Sequence, residues 1–150
     1  MIAPLLAQFL SLVRNQSNSW ANQLISELVS IVGETVPERW AITVSQDKTP
    51  AIAELINKNI TVTLHNLSQD PANRNNRLNL VPLLLLRDNV PMLVPPPSTA
   101  LRLGDRVLFC GIPDARSALN ISINNSKTLT YIVDGIEVPD SMVWCWLKKT

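Results

Sequence analysis

The chain is short of the residues on which most enzymes and metal proteins rely. Four glycines in 150 residues leave no Gly-x-Gly-x-x-Gly fingerprint and no Walker loop, so nucleotide binding by either route has no basis. Two cysteines, Cys110 and Cys145, make neither a disulfide framework nor a metal site. Each lies in an apolar, strand-like run and reads as a buried free thiol. No His/Cys or Cys/Cys pair has metal-ligand spacing, and no Gly-x-Ser-x-Gly elbow is present. With a single histidine, any Ser-His-Asp arrangement has to use His65. Paired carboxylates, such as Asp134 with Glu137 or Asp140, fall in turn regions. The expectation is a protein that is not an enzyme and carries no cofactor and no metal.

Charge is equally scarce. Charged residues are 17% of the chain and the net charge is +1. Neither figure suits a nucleic-acid binder, which needs clustered Lys and Arg against phosphate. Apolar runs such as residues 2–13 fall well short of the roughly 20 residues of a spanning helix. The N-terminus lacks the basic start and small-residue cleavage site of a signal peptide, so a cytoplasmic location is expected. Against this stands an apolar surplus: 46% hydrophobic residues and a mean hydropathy of +0.13. Such a balance implies apolar surface covered by a partner, another copy or a further part of a larger chain.

What is present reads as α+β. Leu5, Leu6, Phe9, Leu10 and Val13 recur at helix spacing. A second helix follows, capped by Asn18 or Ser19, with Trp20, Leu24, Ile25, Leu28, Val29 and Val32 as its stripe and Gly33 as its C-cap. The pattern predicts a strand over residues 40–45, a helix over 49–57 with Thr49 and Pro50 at its start, and an alternating strand over 60–65. Residues 68–77 form a polar, Asn-rich loop in which Arg74 and Arg77 read as solvated. Two strands flank the Asp88-Asn89 turn, whose residue types tolerate positive φ. Pro82 and Pro91 point to strand ends or edges, and Pro95–Pro97 to a stiff connector. Arg106 opens a buried strand ending at Gly111. Residues 113–119 read as a short helix, 120–126 as a loop, 128–138 as a hairpin about Asp134-Gly135, and 142–147 as a last strand. Trp144 and Trp146 would share one face of that strand, in a core or a dimer interface.

The most distinctive run is 83–111. Gly104 suits the positive φ of a tight turn, Asp105 can accept backbone N–H bonds there, and Arg106 can meet a carboxylate. Pro95, Thr99, Leu101, Gly104, Asp105, Leu108 and Gly111 together resemble, with nearly matching spacing, the signature of the C-terminal domain of regulators of potassium conductance, the TrkA-C/RCK-C family. The resemblance spans about residues 38–120. It implies N-terminal helices (residues 1–37, linker or dimerisation) followed by a small, mostly antiparallel sheet domain with short packing helices (38–150), while the tail from about residue 127 departs from the family pattern as an extension.

For function, the resemblance implies a cytoplasmic regulatory module of a potassium channel or transporter, a homodimer attached to a membrane-embedded parent. Some members bind a small ligand at the dimer cleft. These residues carry no signature of the dinucleotide-binding domain that usually precedes the family domain, so the resemblance does not imply NAD. The motif fixes no ligand residues. For a small anionic ligand, Arg87, Arg102 and Arg106 are the candidates, each with a competing reading as an ion-pair partner of Asp88 or Asp105. Two other classes remain: an assembly domain with no ligand, and a small hydrolase using His65 with a serine.

Overall fold

The computed structural model describes residues 2–33 and 36–134. Six helices and four strands lie among them, in an α+β arrangement: α1 (Ile2–Val13), α2 (Asn18–Val32), β1 (Glu38–Thr43), α3 (Pro50–Asn57), α4 (Leu64–Leu67), β2 (Leu80–Arg87), β3 (Val90–Leu93), β4 (Arg106–Gly111), α5 (Pro113–Asn124) and α6 (Ser126–Asp134). The N-terminal helices precede a single antiparallel sheet of order β1-β4-β2-β3.

The sheet is covered on both faces. On one face Trp40, Ile42, Leu80, Leu85, Val107 and Phe109 meet residues of α3, α4, α5 and α6. The rings of Trp40 and Phe109 stack there with centroids 5.8 Å apart. On the other face Leu5 and Phe9 of α1 bury against Val81, Leu83, Leu84, Leu108 and Cys110. Leu24, Leu28 and Ile31 of α2 reach the same cluster. The N-terminal helices therefore rest on this chain's own sheet. Ile25 and Val29, the outer part of the predicted α2 stripe, stay 57% and 62% exposed.

Local chemistry explains the boundaries. Ser17, one residue before the predicted caps, accepts the Trp20 N–H at 3.1 Å and starts α2. Gly33, at φ 61°, ends it and donates to the Val29 carbonyl at 2.9 Å. Asp88 and Asn89 both hold positive φ, 50° and 62°, as a tight hairpin turn requires. Pro91 lies on the edge strand β3. Pro82 lies in β2 beyond the reach of β3, which pairs only from Leu84 onward. The register against β4 jumps between Pro82 and Leu84. That bulge at Leu83 lets Val81, Leu83 and Leu84 all face the α1–α2 side.

Three expectations fail. Residues 60–65 are not a sheet strand. Thr63 makes one isolated bridge with Ala100, and the Val62 carbonyl and Leu64 and His65 amides bond to the 97–101 connection. Thr63 and Asn66 then close a capping box, with the Thr63 N–H on Asn66 Oδ1 at 2.8 Å and the Asn66 N–H on Thr63 Oγ1 at 3.2 Å. That reciprocal pair turns the chain into α4. Residues 120–124 continue α5, because Leu119, Ser122 and Ile123 bury at helical spacing. Thr128 and its neighbours form α6, not a strand. Asn125 Oδ1 accepts the Lys127 and Thr128 amides, and Leu129 and Ile132 bury three apart. The rest of the predicted hairpin, the 142–147 strand, Trp144, Trp146 and Cys145 lie outside the described residues.

Gly111 permits a close backbone approach in the sheet. A Cβ there would lie 2.6 Å from the Asn79 carbonyl oxygen and 2.9 Å from Leu80 Cα, backbone atoms that cannot swing aside. Gly111→Ala is therefore expected to destabilise the fold by about 1–3 kcal/mol, read as a lower melting temperature. Burial also pushes the Cys110 thiol above its ordinary 9.0, while Arg39, its register partner, pulls the other way. The folded state favours the neutral thiol, so its contribution is intact below pH 9.0. It is lost as pH climbs through the higher folded value. In a Cys145→Ser background, Cys110 should alkylate slowly when native and rapidly in urea. Equal rates in both conditions would show the thiol to be accessible.

Candidate functional site

The run 83–111 converges on a buried carboxylate. Asp105 is 1% exposed. Its Oδ1 accepts Arg87 Nε at 3.0 Å, and its Oδ2 accepts Arg87 Nη2 at 2.8 Å and the Arg102 N–H at 2.8 Å. Arg87 Nη2 also donates to the Ala100 carbonyl at 2.7 Å. Gly104, at φ 92°, makes the turn that brings Asp105 inward, and its N–H bonds the Val44 carbonyl at 2.8 Å. One ion pair thus ties the hairpin, the 95–103 connection and the start of β4. The hydrogen bonds that Arg87 donates to Asp105 hold its guanidinium above its ordinary value, against the opposing effect of desolvation.

The predicted ligand arginines do not form one site. Arg87 is occupied by Asp105. Arg102 contributes its amide to the clasp, and the residue is exposed. Arg106 pairs in register with Leu86 and Thr43. Its side alternates with that of Val107, so it projects toward the α1–α2 face, opposite Arg87.

A different concavity lies along β1, at the edge of the sheet. It encloses about 390 Å³ between β1 and α5, lined by Trp40, Ile42, Thr43, Lys48, Arg116 and Asn120 among others. Trp40 is 4% exposed, and its indole Nε1 is buried without a hydrogen-bond partner among the described residues. The Arg116 guanidinium lies 5.8 Å from the Trp40 ring centroid and pairs with Glu38 at 3.1 Å. Lys48 makes no ion pair among the described residues. Val44 bonds inward to Asp105 and Gly104, so alternation turns the pairing groups of Arg39, Ala41 and Thr43 to the open edge. The Thr49 hydroxyl, at 3.2 Å, occupies the Thr43 carbonyl. Donors and cations around an apolar floor suit recognition of an acceptor-bearing group.

Sequence reading placed Trp40 on a strand but had no means of finding this groove. Arg116 and Lys48 reach it from elements far apart in the chain, and no spacing rule joins them. His65 lies elsewhere, on α4. Among the described residues, no group of three or more His, Cys, Asp or Glu side chains could hold a metal ion. No helix among them is long and apolar enough to cross a membrane. No protein-family model matches the chain, and no curated protein aligns with it significantly.

The clasp makes a clear prediction. Asp105→Ala leaves Arg87 and the Arg102 amide unmatched and should cost about 3 kcal/mol in urea unfolding. Asp105→Asn should cost less, because it keeps an acceptor oxygen. Arg102→Ala should change stability by no more than about 0.5 kcal/mol. A larger loss from Arg102→Ala than from Asp105→Ala would show that the carboxylate is not the organising group.

Proposed function

We propose that the chain is a non-enzymatic regulatory module of a potassium-transport protein, built in the manner of the TrkA-C/RCK-C domains and working as a cytoplasmic homodimer. The observation that carries this reading is the Asp105 clasp. The residues behind the resemblance, Leu101, Gly104 and Asp105, surround one turn that seats β4 in the centre of the sheet. Of the order on which the resemblance rests, β1, α3, the β2–β3 hairpin, β4 and α5 follow in sequence, whereas the strand expected at residues 60–65 is replaced by the turn into α4. Ile25 and Val29 supply apolar surface of the kind a dimer covers. A module of this kind works by favouring one of two states of its parent, through a difference in affinity between them.

The same exposed helix surface would serve an assembly domain with no ligand. Light scattering and thermal shift separate the readings. The regulatory reading expects a dimer that Ile25→Glu with Val29→Glu converts to a folded monomer. It also expects a higher melting temperature with at least one nucleotide or cyclic dinucleotide. A dimer indifferent to all such ligands favours the assembly domain. A strict monomer at high micromolar concentration, or rubidium flux in the native host unchanged by deletion of the chain, sinks the transport reading.

A further inference from the structure

The loop between α4 and β2 does more than connect them. Gln69, itself buried, donates its amide Nε2 to the Arg74 carbonyl at 2.8 Å. The Arg74 N–H meets the Tyr131 hydroxyl of α6 at 3.4 Å. Gln69 and Arg77 form a β-bridge, and the Leu78 N–H bonds the Ser68 carbonyl at 2.7 Å. The backbone carrying both arginines is thereby held from either end.

Arg74 and Arg77, with His65, Gln69, Asn75 and Asn76, line a concavity of about 260 Å³. No acidic residue among the described ones lines it. Neither arginine makes an ion pair among the described residues. Asp70, close by in sequence, spends Oδ1 on the Ala72 N–H at 2.8 Å. Arg74 Nε is buried and has no hydrogen-bond partner among the described residues. A cationic donor withdrawn from water without an acceptor is costly, so the arrangement calls for an anion from outside.

We propose that this concavity binds a small phosphate-bearing anion. Two guanidinium groups three residues apart, an imidazole and several side-chain amides offer more donors than the two oxygens of a carboxylate can use. Three or four phosphate oxygens match them better, and arginine forks suit phosphate geometry. The volume falls just under the roughly 300–1,000 Å³ of pockets for drug-sized ligands. The ligand is therefore compact, an inorganic phosphate or a small phosphomonoester rather than a dinucleotide. The site stands independently of what the module regulates.

The test is an NMR titration of the full chain at constant ionic strength, following amides 65–77. Inorganic phosphate and glycerol 3-phosphate are the two probes, with acetate as the carboxylate control. Saturable shifts with a Kd of about 1 mM or tighter are expected for one or both phosphates. The tighter of the two identifies the free ion or the ester as the preferred form. Arg77 is exposed, so Arg77→Ala should keep the fold and weaken binding by on the order of tenfold. Arg74→Lys, which keeps the charge but loses Nε, should weaken it similarly, whereas Arg14→Ala should not. Equal responses to phosphate and acetate, no saturation, or full affinity in Arg77→Ala would overturn the proposal.

Discussion

Everything in this molecule depends on how β2 lies against β4. These two strands occupy the middle of the sheet, and the remaining layers hang from their two faces. Strict alternation would divide the leucine run of β2 evenly between those faces. The bulge at Leu83 breaks the alternation and gives the α1–α2 side two successive leucines, Leu83 and Leu84. Pro82 makes that break natural, because it brings no N–H to the ladder and lies where β2 has a neighbour on one side only. At the far end of the pair, Gly111 admits the Asn79 carbonyl and Leu80 backbone where any side chain would collide. The register is thus pinned at two points, and each core receives the side chains it needs.

The Asp105 clasp extends that control to the connections. A carboxylate this deeply buried is stable only because its oxygens are met by a bidentate guanidinium and a backbone amide. Its partners come from the hairpin and from the turn before β4. The clasp therefore converts a proline-stiffened connection into a fixed one. The β1–α5 groove and the basic loop before β2 are both built on elements that this framework holds in place.

Much of the fold was legible in the sequence because its signals were local. The Asp88-Asn89 turn, Pro50 at the start of α3, Gly33 after α2 and Gly104 before β4 each impose a backbone geometry by themselves. The misread segments were those where two local rules competed. Residues 60–65 alternate like a strand, yet the Thr63–Asn66 exchange favours a helical turn. The 120–134 region is rich in asparagine and ends in an Asp-Gly pair, yet Leu119, Ile123, Leu129 and Ile132 bury together as helix faces. Candidate site residues were harder still. Arg87, Arg102 and Arg106 are close in sequence but divide among an ion pair, solvent and the opposite face. Trp40 and Arg116 meet only because the sheet order places β1 beside β4, and the buried Nε of Arg74 arises from a loop fold that composition does not announce.

The strand order also determines how the chain must be assembled. β2 and β3 are adjacent in sequence and can pair as soon as both exist. Among the described residues β1 pairs only with β4, with a register running from Glu38↔Gly111 to Thr43↔Arg106. α1, too, rests on residues of β2 and β4. α1, α2 and β1 thus gain their full set of apolar and sheet partners only once the chain has been made past Gly111. Closing so long a loop is slow compared with making the hairpin. During synthesis the β2–β3 hairpin can therefore form before β4, the last strand among the described residues, while α1 and α2 still lack part of the apolar surface on which they rest.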